Sequence, residues 1–307
     1  MRIVFFGTPE FAVPSLEALL AERAQVVGVV TQPDKPHGRS RSVLVPPPVK
    51  QAALRQGIPV LQPDRPRGDL FLAALRHWQP EIGVVVAYGH ILKPDVLSLP
   101  SRGMINVHAS LLPRWRGAAP INWAIRAGDR ETGISIMVME PGMDTGPILH
   151  QSTLPIGPEE TAGTLTERLA VLGADTLVEA LALMRLGGIA PVPQDESRAT
   201  YAPKIDRGVT RIVWEDPADA VSRSIRAFDP EPGAWTVLEG QEIKLFGAAP
   251  VPGSGVPGHV LSPSPDLTIA TGRGAVRIAD VKPSGKTRMP AQDWIRGRRA
   301  EAVTVFQ

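Results

Sequence analysis

Blocks of consecutive apolar residues alternate with segments of helical spacing through the N-terminal part of the chain. Arg2–Phe6 reads as a buried strand, and Pro14–Arg23 as a helix opening at Pro14-Ser15. The β-branched run Gln25–Thr31 predicts a second strand and Pro47–Gln56 a second helix. Pro59–Leu61 (strand), Asp69–His77 (helix) and Ile82–Ala87 (strand) follow, then Met104–His108, Ala119–Ala127 and Gly133–Glu140 as strand, helix and strand. Strands apolar on both faces need cover on both, and the intervening amphipathic helices supply it. The pattern predicts an α/β domain built on a Rossmann-like, doubly wound parallel sheet. From Thr161 a long helix carries Leu165, Leu169, Leu172, Leu177, Leu181 and Met184 on one stripe and stops at Gly187-Gly188.

The texture then changes. Ile189–Arg207 contains Pro191, Pro193 and Pro203 among polar residues, which predicts an extended linker. Pro217–Phe228 has the spacing of one amphipathic helix. Beyond it, Trp235–Glu239, Glu242–Phe246, His259–Leu261, Leu267–Ala270 and Ala275–Val281 are short alternating runs separated by Gly, Pro and Asp. Such runs fit a small β-barrel of the OB type. The expected domains are residues 1–189, a linker at 190–207, and a barrel at 208–307.

Composition narrows the class. The 307 residues are 43% hydrophobic and 21% charged, which suits a globular protein with a sizeable core. The apolar start Ile3–Phe6 is too short for a secretory segment, and no apolar run reaches membrane-spanning length. A cytoplasmic protein without membrane association is therefore expected. Cys is 0, which removes disulfides, thiolate metal sites and cysteine nucleophiles together. Lys+Arg 33 against Asp+Glu 31 gives only +2, so distribution matters more than the total. Lys35, His37, Arg39, Arg41, Lys50 and Arg55 gather with Asp34 as the only acid; Lys282, Lys286, Arg288, Arg296, Arg298 and Arg299 gather around Asp293. Taken alone, each run reads as a solvated face.

Candidate chemistry concentrates at the ends of two strands. In Ile105-Asn106-Val107-His108 the period of two puts the amide and the imidazole on one face. Ligands of open α/β sheets bind beyond the carboxyl ends of the strands. Spacing alone leaves two readings, a ligand-binding pair or a polar pair satisfied by neighbouring backbone. Asp144 lies in the turn Glu140–Pro147, and an Asp in a Gly/Pro turn is ordinarily a turn former. Together the three could form an amide, imidazole and carboxylate triad, able to stabilise an oxyanion on a one-carbon carbonyl without a protein nucleophile. The first strand–helix turn has Gly7 but no G-x-G-x-x-G, and there is no Walker A run and no G-x-S-x-G elbow. Neither a dinucleotide nor a metal is expected.

Asn106-Val107-His108-Ala109-Ser110-Leu111-Leu112-Pro113, followed by Arg114–Ile121, resembles the signature of the folate-dependent formyltransferases. Met143–Gly146, Phe6–Phe11, Thr31–Pro36 and Pro48–Lys50 match the same family, and the likeness runs over essentially the whole chain. It implies 10-formyltetrahydrofolate as co-substrate and, in the variant these motifs match, initiator methionyl-tRNA as acceptor, with a monomeric enzyme. It also implies a catalytic trio Asn106, His108 and Asp144; a folate segment Ser110, Leu111, Leu112 and Pro113; and a pterin-pocket wall at Val86, Ala87 and Tyr88. The insertion Asp34–Val45 resembles a loop that engages the acceptor stem, with Arg39 as its key cation and Lys35 and Arg41 beside it. The implied tRNA contacts of the barrel are Lys282, Lys286 and Arg288. The chain departs from the pattern at Arg41-Ser42, where consecutive lysines are frequent, and at Ala109, where Gly or Pro is common. Three alternatives stand beside this reading, one of them a formyltetrahydrofolate hydrolase or dehydrogenase module, whose dehydrogenase form the absence of any reactive Cys argues against. A formyltransferase acting on a small amine, such as an amino sugar or ribonucleotide, would not need the Asp34–Val45 insertion or the barrel. A non-catalytic tRNA-binding protein would not need the Asn106, His108 and Asp144 set.

Overall fold

The computed structural model describes residues 1–37, 43–262, 266–296 and 305–307. They form two compact units: Met1–Gly117, Thr132–Leu154 and Thr166–Tyr201 in the first; Ala118–Glu131, Pro155–Leu165 and Ala202–Gln307 in the second.

The first unit is built on a seven-stranded sheet. Its strands are β1 (Arg2–Gly7), β2 (Gln25–Val30), β5 (Val60–Leu61), β6 (Ile82–Val86), β7 (Met104–His108), β9 (Glu131–Val138) and β10 (Ile148–Pro155). Between them in the chain lie the short strands β3 (Lys35–His37), β4 (Val43–Val45) and β8 (Arg116–Gly117). The spatial order is β10-β9-β7-β6-β1-β2-β5. β1, β2, β5, β6 and β7 pair in parallel, as the continuous apolar runs imply. Ile3, Val4, Phe5 and Phe6 are all buried, so the centre of the sheet is covered on both faces. One face packs Val4, Phe6, Val30 and Val85 against Phe71, Leu72 and Leu75 of the helix Asp69–His77. The long helix Ala162–Leu186 approaches β7 closely, because Gly173 has no side chain; a Cβ there would lie 3.3 Å from Val107.

Two elements differ from the sequence reading. β9 runs antiparallel to β7, with Ile105 opposite Val138 and His108 opposite Ser135, so the sheet is mixed at this edge. The chain leaves β7 at its carboxyl end and enters β9 from that same end, which requires no crossover over the sheet face. The Asp34–Val45 insertion is read from sequence as a loop, yet β3 and β4 form a two-stranded hairpin pairing Lys35 with Val45 and His37 with Val43. Arg39 and Arg41 lie outside the described residues.

The second unit contains β12 (Ala234–Leu238), β13 (Gln241–Val251), β14 (Val260–Ser262), β15 (Leu267–Ala270), β16 (Ala275–Pro283) and β17 (Met289–Pro290), after the short β11 (Tyr201–Ala202) at the boundary. They pair antiparallel in the order β12-β13-β16-β15-β14, with β17 on β16. Phe306 bridges Leu238 of β12 and Val305 bridges His259 just before β14, so the end of the chain joins the two edges of a curled sheet. The helix Ala218–Ala227 packs on β13.

Candidate active site

β7 ends between two loops that converge on its last residue. Asn106 and His108 share a face, as the period of two demands. His108 is buried, while Asn106 is partly exposed, and among the described residues its amide has no hydrogen-bond partner. Asn106 stands opposite Val85 of β6, so Val86-Ala87-Tyr88 leaves the sheet alongside Val107 and His108.

His108 is gripped from two sides. Its Nε2 lies 2.9 Å from the carbonyl oxygen of Trp115. A carbonyl only accepts, so Nε2 carries a proton and donates it there. Nδ1 then faces Oδ2 of Asp144 at 3.7 Å, too long for a direct hydrogen bond but within ion-pair reach when the ring is protonated. The same Oδ2 accepts the Gly117 N–H at 2.8 Å, which fixes the carboxylate. Asp144 reaches His108 by a route the sequence does not foretell. The Met139 N–H bonds to the Met104 carbonyl, so β9 ends beside the start of β7, and the following loop must run back along β7 to its far end. Ala87, Trp115 and Asp144 hold left-handed backbone, at φ 46, 62 and 55, in the three loops of this region. Each costs about 1–2 kcal/mol in a residue with a Cβ, and such strain gathers where function over-determines the backbone.

The segment after β7 is tied down by hydroxyls. The Ser110 hydroxyl donates to the Arg114 carbonyl at 2.6 Å, and the Ser110 side chain is fully buried. Of the four residues expected at folate, Ser110 and Leu112 are thus buried, and Leu111 and Pro113 are partly exposed. Ser135 of β9 donates to the Ser110 carbonyl and accepts the Leu112 N–H and the Gln151 amide. Likewise, Tyr88 turns its ring inward against Phe6, so of Val86, Ala87 and Tyr88 only Ala87 is exposed. Sequence reasoning missed Ser135, although a hydroxyl in the apolar run Ile134-Ser135-Ile136 was a readable signal. The Gly117 N–H and Trp115 carbonyl carried none, being backbone groups.

Of the residues expected at tRNA, Lys35 is exposed on β3, and Lys282 and Lys286 are exposed in the second unit. Arg288 is committed within its own unit: it pairs with Asp229 at 2.7 Å and Asp280 at 2.8 Å and stacks on Phe246. Among the described residues, no cluster of three or more His, Asp or Glu side chains could hold a metal ion, and no helix is long and apolar enough to cross a membrane.

Comparison with known proteins gives the same outline. A family model described as formyl transferase matches residues 1–181, and one described as formyl transferase, C-terminal domain, matches residues 204–299. The chain is 48% identical over 299 residues to a methionyl-tRNA formyltransferase of Myxococcus xanthus, covering 97% of this chain and 95% of that one. Its fold resembles HypX from Aquifex aeolicus in complex with tetrahydrofolic acid, with a TM-score of 0.68 at 23% identity over 96% of this chain and 47% of HypX. The chain thus spans about half the length of HypX. It also resembles WlaRD, a sugar 3N-formyl transferase crystallised with dTDP and 5-N-formyl-THF, with a TM-score of 0.70 at 19% identity over 94% of this chain and 99% of that one.

Proposed function

This chain belongs to the formyl transferase family, and we propose that it moves the formyl group of 10-formyltetrahydrofolate onto the α-amine of methionine on initiator tRNA. The product is N-formylmethionyl-tRNA, used to begin translation. The observation that carries the reading at the level of the site is the His108–Asp144 pair beside a free Asn106 amide at the carboxyl end of β7.

The step is acyl transfer. The amine, whose pKa is about 7.7–8.0 when unperturbed, attacks in its neutral form. Its lone pair forms the new C–N bond, and the carbonyl electrons move onto oxygen. Collapse of that oxyanion breaks the bond to the folate nitrogen, which takes up a proton as tetrahydrofolate leaves. The Asn106 amide donates to the formyl oxygen and steadies the oxyanion. His108 and Asp144 handle the proton lost by the amine, and the 3.7 Å between Nδ1 and Oδ2 leaves room for a bridging water or the substrate's N–H. Folate is bounded in this reading by Ala87 and by Leu111 and Pro113. Lys35, Arg39 and Arg41 meet the acceptor stem, and Lys282, Lys286 and the exposed part of Arg288 also contact tRNA. The protein acts as a monomer in the cytoplasm, and sedimentation velocity decides the first of these points.

The 48% identity to a methionyl-tRNA formyltransferase favours tRNA over a small-amine acceptor, since WlaRD shares only 19%. Formylation is measured with 10-formyltetrahydrofolate and charged initiator tRNA, with charged elongator tRNA and a dTDP-amino sugar in parallel. Turnover on initiator tRNA alone is expected; turnover on the sugar instead would reverse the assignment.

A further inference from the structure

The segment that sequence reading treats as a linker grips both loops around His108. Val192 exchanges two backbone hydrogen bonds of 2.8 Å with Ile148, which anchors it beside β10. Two residues later, the Gln194 side-chain amide donates to the carbonyls of Asp144 at 2.8 Å and Gly146 at 2.7 Å. Its oxygen faces the other way and accepts from Arg116, at 3.0 Å from Nε and 2.8 Å from Nη2. The orientation of the amide is thereby settled, because carbonyls accept and a guanidinium only donates.

Arg116 lies between Trp115, whose carbonyl holds His108, and Gly117, whose N–H holds Asp144. Its side chain is 0% exposed, and two further donors close a two-bond fork on Glu196 at 2.8 Å each. A guanidinium buried this completely is costly unless its donors are matched, and Gln194 with Glu196 takes four of its five N–H groups. Thr200 completes the grip: its Oγ1 accepts the Trp115 N–H at 2.9 Å and its carbonyl accepts the Arg116 N–H at 2.9 Å. Within one unit, residues 192–200 therefore fasten the Asp144 loop through Gln194 and the Trp115–Gly117 loop through Arg116 and Thr200.

We propose that this segment is a positioning strap for the reaction, and that Gln194 is a positioning residue acting through Asp144. The proposal rests on the catalytic reading of Asp144 given above. Asp144 sits in left-handed backbone, so its carboxylate stays at His108 only while the turn is held from behind. A displacement of about 1 Å at a reacting group can cost ~10²-fold in rate.

The test is steady-state formylation by the full-length chain carrying Gln194→Ala, Asp144→Asn, or both. Gln194→Ala should lower kcat at least tenfold while KM for folate and for tRNA moves less than about threefold. In the Asp144→Asn background the same change should lower kcat by less than about threefold, because its effect passes through a group already disabled. Gln194→Glu keeps the acceptor for Arg116 but turns a carboxylate onto two carbonyls, so it should lose as much kcat as the alanine. It also supplies the measurement if the alanine variant does not fold. Wild-type kcat in Gln194→Glu, or an equal factor in both backgrounds, would overturn the strap alone. Wild-type kcat in Asp144→Asn by itself would overturn both the strap and the catalytic assignment beneath it.

Discussion

Replacing Asp144 by Asn is a nearly isosteric change that leaves an oxygen able to accept the Gly117 N–H, now held at 2.8 Å. What disappears is one negative charge 3.7 Å from the His108 ring. At an effective dielectric of ~20, a carboxylate and an imidazolium at that distance attract by about 4.5 kcal/mol. The carboxylate is 18% exposed, so water replaces part of the lost interaction, and about 3 kcal/mol remains. If the imidazolium develops in the transition state, that loss appears in the chemical step as ~10²-fold in rate. Binding of folate, which does not need the charge, should be little changed. Single-turnover formylation with enzyme in excess over charged tRNA and saturating folate isolates the step. Folate affinity is read separately by fluorescence quenching. A variant that formylates within fivefold of wild type, or that loses its rate only through weakened folate binding, would refute the argument that Asp144 serves His108.

Three further outcomes are expected. Asn106→Ala removes the unpaired amide on the His108 face and should lower kcat by about 10²–10³-fold at unchanged thermal stability; single-turnover rates and a melting curve check both halves. Burial pushes the Tyr88 hydroxyl up to about 12, so the stability tied to its protonated form is complete below pH 10 and lost as pH rises toward about 12. Urea unfolding across that range should show the decline, and Tyr88→Phe should flatten it at no cost near neutrality, because the hydroxyl has no hydrogen-bond partner among the described residues. Arg39→Ala should reduce formylation of initiator tRNA strongly and narrow its advantage over a tRNA whose acceptor end is paired, whereas the effect of Arg41→Ala should fade as salt rises; rates on both tRNAs, at low and high salt, decide between base contact and simple phosphate attraction.

Much of the architecture is legible in local pattern because its cause is local. Four buried residues in succession at Ile3–Phe6 require cover on both faces of a strand, and only a parallel sheet under helices commonly supplies it. The shared face of Asn106 and His108 follows from the pleat alone, and the helices Asp69–His77 and Ala162–Leu186 announce themselves by spacing and by Gly187-Gly188. Strand partners are a different matter. The periodicity of Glu131–Val138 is the same whether it pairs parallel or antiparallel, and the choice depends on where the chain re-enters the sheet. That choice sends the Asp144 loop back along β7 and brings its carboxylate to His108. The tertiary structure also turned Tyr88 inward, buried Arg116 between Gln194 and Glu196, and tied Arg288 to Asp229 and Asp280. For Arg116 and Arg288 the role was set by which acceptors folding brought within 3 Å or so, and for Tyr88 by ring packing against Phe6, both matters of long-range packing that residue type and spacing do not carry.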